Sequence, residues 1–135
     1  MQVGTATNWA NISAGASHSV AVKTDGTLWA WGANSSGQVG QGSTIQLSYT
    51  TPTQIGVLTT WSTAAQALSA GGDMSYAIKT DGTLWAWGLN SNFQIGNGTS
   101  VTATAPVQVG AVTTYQSVCA CTAAFIATRT DGTLW

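Results

Sequence analysis

The residues of this chain able to do chemistry are few and scattered. His18 is the only histidine. A general base also needs an acid that orients it, and none is placed near His18 in the sequence. Asp25, Asp81 and Asp131 each precede Gly-Thr-Leu-Trp, where a turn-forming aspartate explains them without catalysis. Asp73 follows Gly71-Gly72 and reads as another turn residue. Cys119 and Cys121 stand two apart, too close for an ordinary disulfide along a strand. With one histidine in the chain they fall short of a four-ligand zinc site. They read as small residues filling positions held elsewhere by Ser and Gly. The runs Gly37-x-x-Gly40-x-Gly42 and Gly96-x-Gly98 are not phosphate cradles, because no helix pattern opens after them. The expectation is a non-enzyme, with no catalytic residue, no metal site and no cofactor.

Composition narrows the class further. Charged residues are 5% of the chain and the formal net charge is −1, so no basic patch is available for nucleic acid or anionic lipid. Hydrophobic residues are 44%, with seven Trp, which suits a packed core and not disorder. No apolar run approaches the roughly 20 residues that span a bilayer. Met-Gln-Val-Gly-Thr-Ala-Thr at the start has neither a basic n-region nor an apolar h-region, and the compartment is left unassigned.

What must position these residues is a repeat. Thr-Asp-Gly-Thr-Leu-Trp occurs at 24–29, 80–85 and 130–135, with starts 56 and then 50 residues apart. The first two copies continue as Ala-Trp-Gly to Gly32 and Gly88. Ile12-Ser13-Ala14-Gly15 aligns with Leu68-Ser69-Ala70-Gly71 and with Val118-Cys119-Ala120-Cys121. Gly37-Gln38-Val39-Gly40 aligns with Phe93-Gln94-Ile95-Gly96, Gln54-Ile55-Gly56 with Gln108-Val109-Gly110, and Trp61 with Tyr115. The second unit carries four extra residues around Ser62–Ala65. Gln2-Val3-Gly4 fits the end of a preceding unit. The expected organisation is a tail at 1–6, repeats at 7–56 and 57–110, and a third, cut repeat at 111–135. A copy that stops in mid-pattern at Trp135 is expected to belong to a longer chain. Units of this period bury their apolar faces against their neighbours.

Asp-Gly between alternating apolar runs signals a β-hairpin. A two-residue type I′ turn centred on Asp25-Gly26 predicts Val22 opposite Trp29, Val20 opposite Trp31 and Ala21 opposite Ala30. One face then carries Val20, Val22, Trp29 and Trp31, and the other Ala21, Ala30, Lys23 and Leu28. The second copy predicts Tyr76, Ile78, Trp85 and Trp87 against Ala77, Ala86, Lys79 and Leu84, with Ile78 opposite Trp85. Trp29 and Trp85 are expected in the core. With no sustained helical period, the reading is all-β, as radially repeated propeller blades.

The run Ile12-Ser-Ala-Gly-Ala-Ser-His18-Ser-Val-Ala-Val22, then Asp25-Gly-Thr-Leu-Trp-Ala-Trp-Gly32, Asn34 and Gly37-Gln-Val-Gly40, closely resembles the regulator of chromosome condensation repeat. The resemblance covers essentially the whole chain. It implies four-stranded antiparallel blades, about two and a half of them, from a seven-bladed ring closed by pairing of its termini. The copies depart at the repeat histidine, which is Met74 and Ala124 here, and at the glycine replaced by Cys121. Activities in the family are diverse. The expected function is a non-catalytic protein-interaction scaffold, with protein partners and the remaining blades of the same chain. The alternatives are a guanine-nucleotide exchange factor or regulator of a small GTPase, and a surface or virion-associated adhesin for glycans. Candidate binding positions are the loop residues Asn34, Ser35, Ser36, Asn90, Ser91, Asn92 and Phe93.

Overall fold

The computed structural model describes residues 2–135 and contains ten strands and no helix among them. The first sheet is β1 (Trp9–Ala14), β2 (His18–Lys23), β3 (Leu28–Ala33) and β4 (Ser48–Gln54), paired in that order. The second repeats it with β5 (Leu68–Gly71), β6 (Met74–Ile78), β7 (Leu84–Gly88) and β8 (Ala103–Gln108). The third is the hairpin of β9 (Tyr115–Ala120) and β10 (Phe125–Arg129). All pairings are antiparallel, so the all-β, four-stranded blade expected from the sequence is present.

The turn differs from expectation by one residue, and that changes which residues share a face. The Lys23 N–H donates to Thr27 O at 3.0 Å and the Gly26 N–H to Lys23 O at 2.9 Å. Gly26 has φ +77°, while Asp25 is not among the residues with positive φ. This is a three-residue loop, Thr24-Asp25-Gly26, built as a type I turn closed by a left-handed glycine. Asp25 drives that choice: its Oδ1 accepts the Thr27 N–H at 3.0 Å and the Thr27 hydroxyl at 2.6 Å. These bonds, the hydroxyl first, hold the Asp25 carboxyl below its ordinary range.

Val22 therefore opposes Leu28, Ala21 opposes Trp29, Val20 opposes Ala30 and Ser19 opposes Trp31. In the second hairpin Ile78 opposes Leu84 and Ala77 opposes Trp85. Opposed residues share a face. One face is thus Val20, Val22, Leu28 and Ala30, all buried, and the other is Ser19, Ala21, Trp29 and Trp31. Each Trp lies across from a small residue on its own sheet.

Trp29 and Trp85 are half-buried, not core. Each indole N–H donates to the turn threonine, Thr27 at 2.8 Å and Thr83 at 2.9 Å. Lys23 Nζ sits 3.8 Å from the Trp29 ring centre and 4.9 Å from that of Trp9. Lys79 does the same over Trp85 and Trp61, and Arg129 over Trp135 and Tyr115. The three basic side chains are thereby held against aromatic rings. The four extra residues of the second repeat bulge between Trp61, which bridges to Lys79, and β5. Ala64 in that bulge accepts the Asn11 side-chain amide at 2.8 Å.

The core lies between sheets. The Trp87 N–H crosses to Gln38 O of the first sheet's loop at 2.9 Å, and the Tyr76 ring meets Phe125 of the third at 4.7 Å.

Candidate interaction surface

Polar groups at the first seam are committed to packing. The Ser75 hydroxyl donates to Gln38 O at 3.0 Å, which leaves its oxygen to accept from His18 Nε2–H at 2.8 Å. That assignment leaves His18 Nδ1 bare, and it is buried with no partner. Burial pushes the His18 pKa down to about 4, opposed by the Asp73 carboxylate. Asp73 itself accepts from Gln38 Nε2 at 3.2 Å. His18 is thus a neutral seam residue, closed to substrate. Burial likewise pushes the Tyr76 phenol upward, and its hydroxyl donates to Gln94 O at 2.8 Å.

The β3–β4 and β7–β8 loops are organised by one asparagine each. Asn34 Nδ2 donates to Ser43 O and Gln46 O at 2.8 and 2.9 Å, and its Oδ1 accepts the Val39 N–H. Asn90 Nδ2 donates to Thr99 O and Val101 O at 2.7 and 3.1 Å, and its Oδ1 accepts the Ile95 N–H. Both asparagines are fully buried, so neither can touch a ligand. They are corrected from contact candidates to loop organisers, because an exposed loop of this length needs an internal partner for its buried backbone groups. Gln38 and Gln94 add a second brace, each accepting a backbone N–H two residues earlier, from Ser36 and Asn92.

The organised loops present Ser35, Ser91, Asn92 and Phe93 to solvent, with Ser36 half-buried. Phe93 is 62% exposed and has φ +62°. Its counterpart Gly37 has φ +72°. Holding a bulky residue there costs energy. The same two loops carry Ile45, 94% exposed, with Leu47 and Val101 also out in solvent. The sequence reading passed over these three, although an isolated Ile, Leu or Val in a Ser/Thr/Gly loop was the available signal. Both loops leave the same end of equivalent strands, β3 and β7, of successive sheets.

Tandem four-stranded sheets, packed face to face with a shared hairpin and loop plan, define a β-propeller repeat protein. The regulator of chromosome condensation (RCC1) repeat matches residues 25–78 and 81–124, and a second description of the same repeat matches 9–38 and 65–94. The chain belongs to that family. The human regulator of chromosome condensation is 29% identical over 102 residues, which is 76% of this chain and 23% of that protein. The chain thus spans about a quarter of the length of the vertebrate regulators of chromosome condensation it matches. Among solved structures, human WBSCR16 superposes with a TM-score of 0.79 at 20% identity, over 93% of this chain and 32% of that one. Prp20p from Saccharomyces cerevisiae, described with its binding to Gsp1p and histones, gives 0.76 at 21% identity over 91% and 31%. At these identities the structural likeness speaks for the fold.

Proposed function

We propose that this chain is part of a non-catalytic propeller scaffold whose β3–β4 and β7–β8 loops hold a protein partner. The observation carrying this reading is the division of labour among its side chains. The single histidine, the turn aspartates and the basic residues are spent on turns and seams. Exposed Ile45, Leu47, Phe93 and Val101 are carried by those two loops. Contacts of that kind, on loops fixed by buried Asn34 and Asn90, suit a protein surface. Prp20p, with the same fold, is described as binding Gsp1p and histones, which supports protein as the partner class. No helix among the described residues is long and apolar enough to cross a membrane.

The test is biolayer interferometry of the chain against a small GTPase of the Gsp1p kind and against core histones. Saturable binding weakened at least tenfold by Ile45→Ser and by Phe93→Ser is the expected result. Binding that ignores both substitutions, or that appears only with glycans, overturns the reading. Regulation of a GTPase is a second reading, supported by the same relatives. Accelerated release of a fluorescent guanine nucleotide from that GTPase would favour it, whereas binding without release supports the scaffold alone.

A further inference from the structure

His18 sits where the two four-stranded sheets meet, and two routes lead from it into the 34–47 loop. The first runs through Ser75. His18 Nε2–H donates to the Ser75 hydroxyl at 2.8 Å, and that hydroxyl donates to Gln38 O at 3.0 Å. The second runs through Asp73, whose charge acts on His18 and whose Oδ1 accepts from Gln38 Nε2 at 3.2 Å. Gln38 in turn braces the loop, since its Oε1 accepts the Ser36 N–H at 2.9 Å.

The closed seam suits a neutral ring only. His18 is 3% exposed, and its Nδ1 is buried with no hydrogen-bond partner. A Cβ on Gly15 would lie 2.6 Å from that nitrogen, so backbone already crowds it. A proton there would be a buried charge with an unsatisfied N–H, which is relieved by reaching water. The Asp73 carboxylate and the Met74 backbone favour the cation, but burial outweighs both. The surrounding elements add no further charge. The 34–47 loop, β1, β3, β5 and β7 have no ionisable residue. In β6 only Tyr76 can titrate, and burial pushes its phenol upward. Lys23 lies at the opposite end of β2.

The second seam lacks this arrangement. Met74 and Phe125 take the places of His18 and Ser75, and Gln94 O accepts from the Tyr76 hydroxyl.

We propose that protonation of His18 opens the first seam and frees the 34–47 loop, while the 90–101 loop stays closed. Opening brings the imidazolium to water, withdraws the Ser75 link and draws Asp73 from Gln38 towards the cation. Gln38 O then keeps the Trp87 N–H alone, and Ser36 loses its brace. Ile45 and Leu47 ride on the freed loop, so a partner held there is released by acid. That consequence rests on the scaffold reading, whereas the loop opening does not. The direction follows from the ring, whose pKa burial lowers to about 4 from 6.5. The closed form is favoured in full above about pH 6.5, loses ground as pH falls, and the change levels off below about pH 4. At pH 5 the open-to-closed ratio is about thirtyfold its neutral value.

The test is amide hydrogen exchange of the 135-residue chain, read by NMR at pH 7.5 and pH 5 and corrected for intrinsic rates. Protection of the Ser36 amide should fall about thirtyfold, while that of Ile95, held by Asn90 Oδ1, should stay within about twofold. His18→Gln keeps a donor for Ser75 without titrating, and His18→Met copies the second repeat. Either should leave Ser36 protection independent of pH. The proposal is overturned if Ser36 protection in the parent ignores pH, or if both variants respond as the parent does. It is also overturned if Ile95 falls together with Ser36, because the opening is then global. Interferometry against a small GTPase of the Gsp1p kind separates the two readings. Binding lost at pH 5 in the parent and kept in His18→Gln supports both, whereas no binding at pH 7.5 overturns the scaffold and leaves the exchange result to decide the seam.

Discussion

The second sheet is enclosed on its Trp side and the first is open on the same side, although the two share nearly the same residues. Leu68 is 5% exposed and its counterpart Ile12 is 71% exposed. Trp87 is fully buried and Trp31 is half-buried. Trp61 is buried while Trp9 is half-buried. The difference lies in what stands opposite. Trp87 receives Gln38 O, Gly40 and Ile55 from the sheet before it, whereas Trp31 and Trp9 meet Val3 and Ala6 across an apolar cleft of about 310 Å³. Val3 aligns with Ile55, and the N-terminal segment supplies the corresponding part of the cover. A repeat of this kind has no core of its own. Its burial is a property of pairs of sheets.

The sharpest way to break this comparison is to truncate the paired indoles. Trp87→Ala should cost about 3–5 kcal/mol in urea unfolding, and Trp31→Ala less than half as much. Equal losses would mean that each sheet is stabilised from within.

Acid should find the first seam. Burial lowers the folded-state pKa of His18 to about 4 from 6.5, so the unfolded chain takes up the proton first. Stability should be full above about pH 6.5, fall as pH drops below it, and level off below about pH 4, with a loss approaching 3 kcal/mol. His18→Met copies the second repeat, where Met74 stands, and should flatten that part of the curve measured by pH-dependent denaturation. A slope unchanged by His18→Met would place the acid sensitivity elsewhere.

The turn glycines give a smaller contrast. Gly26, Gly82 and Gly132 all have positive φ, at +77°, +77° and +82°. A Cβ on Gly26 would lie 2.2 Å from Thr59 O, and one on Gly82 2.2 Å from Thr113 O, while Gly132 has nothing within 4 Å. Gly132→Ala should therefore cost only the conformational strain, about 1 kcal/mol. Gly26→Ala and Gly82→Ala should cost at least twice that, because the next sheet's backbone must move. Thermal melts of the three variants decide it, and a common value would remove the neighbour from the account.

The smallest effect on stability is expected at Ile12. Ile12→Lys should change the unfolding free energy by less than about 0.5 kcal/mol and reduce self-association of the chain, since an exposed apolar face invites contacts. Leu68→Lys, at the enclosed equivalent, should prevent folding. Light scattering that shows no less association for Ile12→Lys would acquit the open Trp face.

The three hexapeptides, the Asp-Gly turns and the alternation around them were enough to give antiparallel hairpins and a repeat architecture, and the longer run from Ile12 to Gly40 carried the family resemblance that implied four-stranded blades. These features are local or follow from self-similarity, so they are written in one dimension. The register was not. Asp-Gly fits a two-residue turn as well as a three-residue one, and only the Asp25–Thr27 hydrogen bonds chose the latter. Because side chains alternate with a period of two, that single residue moved Trp29 and Trp31 to the face of Ala21. The loop asparagines were also beyond sequence reading. Asn34 looks like any polar loop residue until the backbone carbonyls of Ser43 and Gln46 close around it. Which indole is buried was decided last of all, since nearly identical Ala-Trp-Gly segments end up open or enclosed according to the sheet that packs against them.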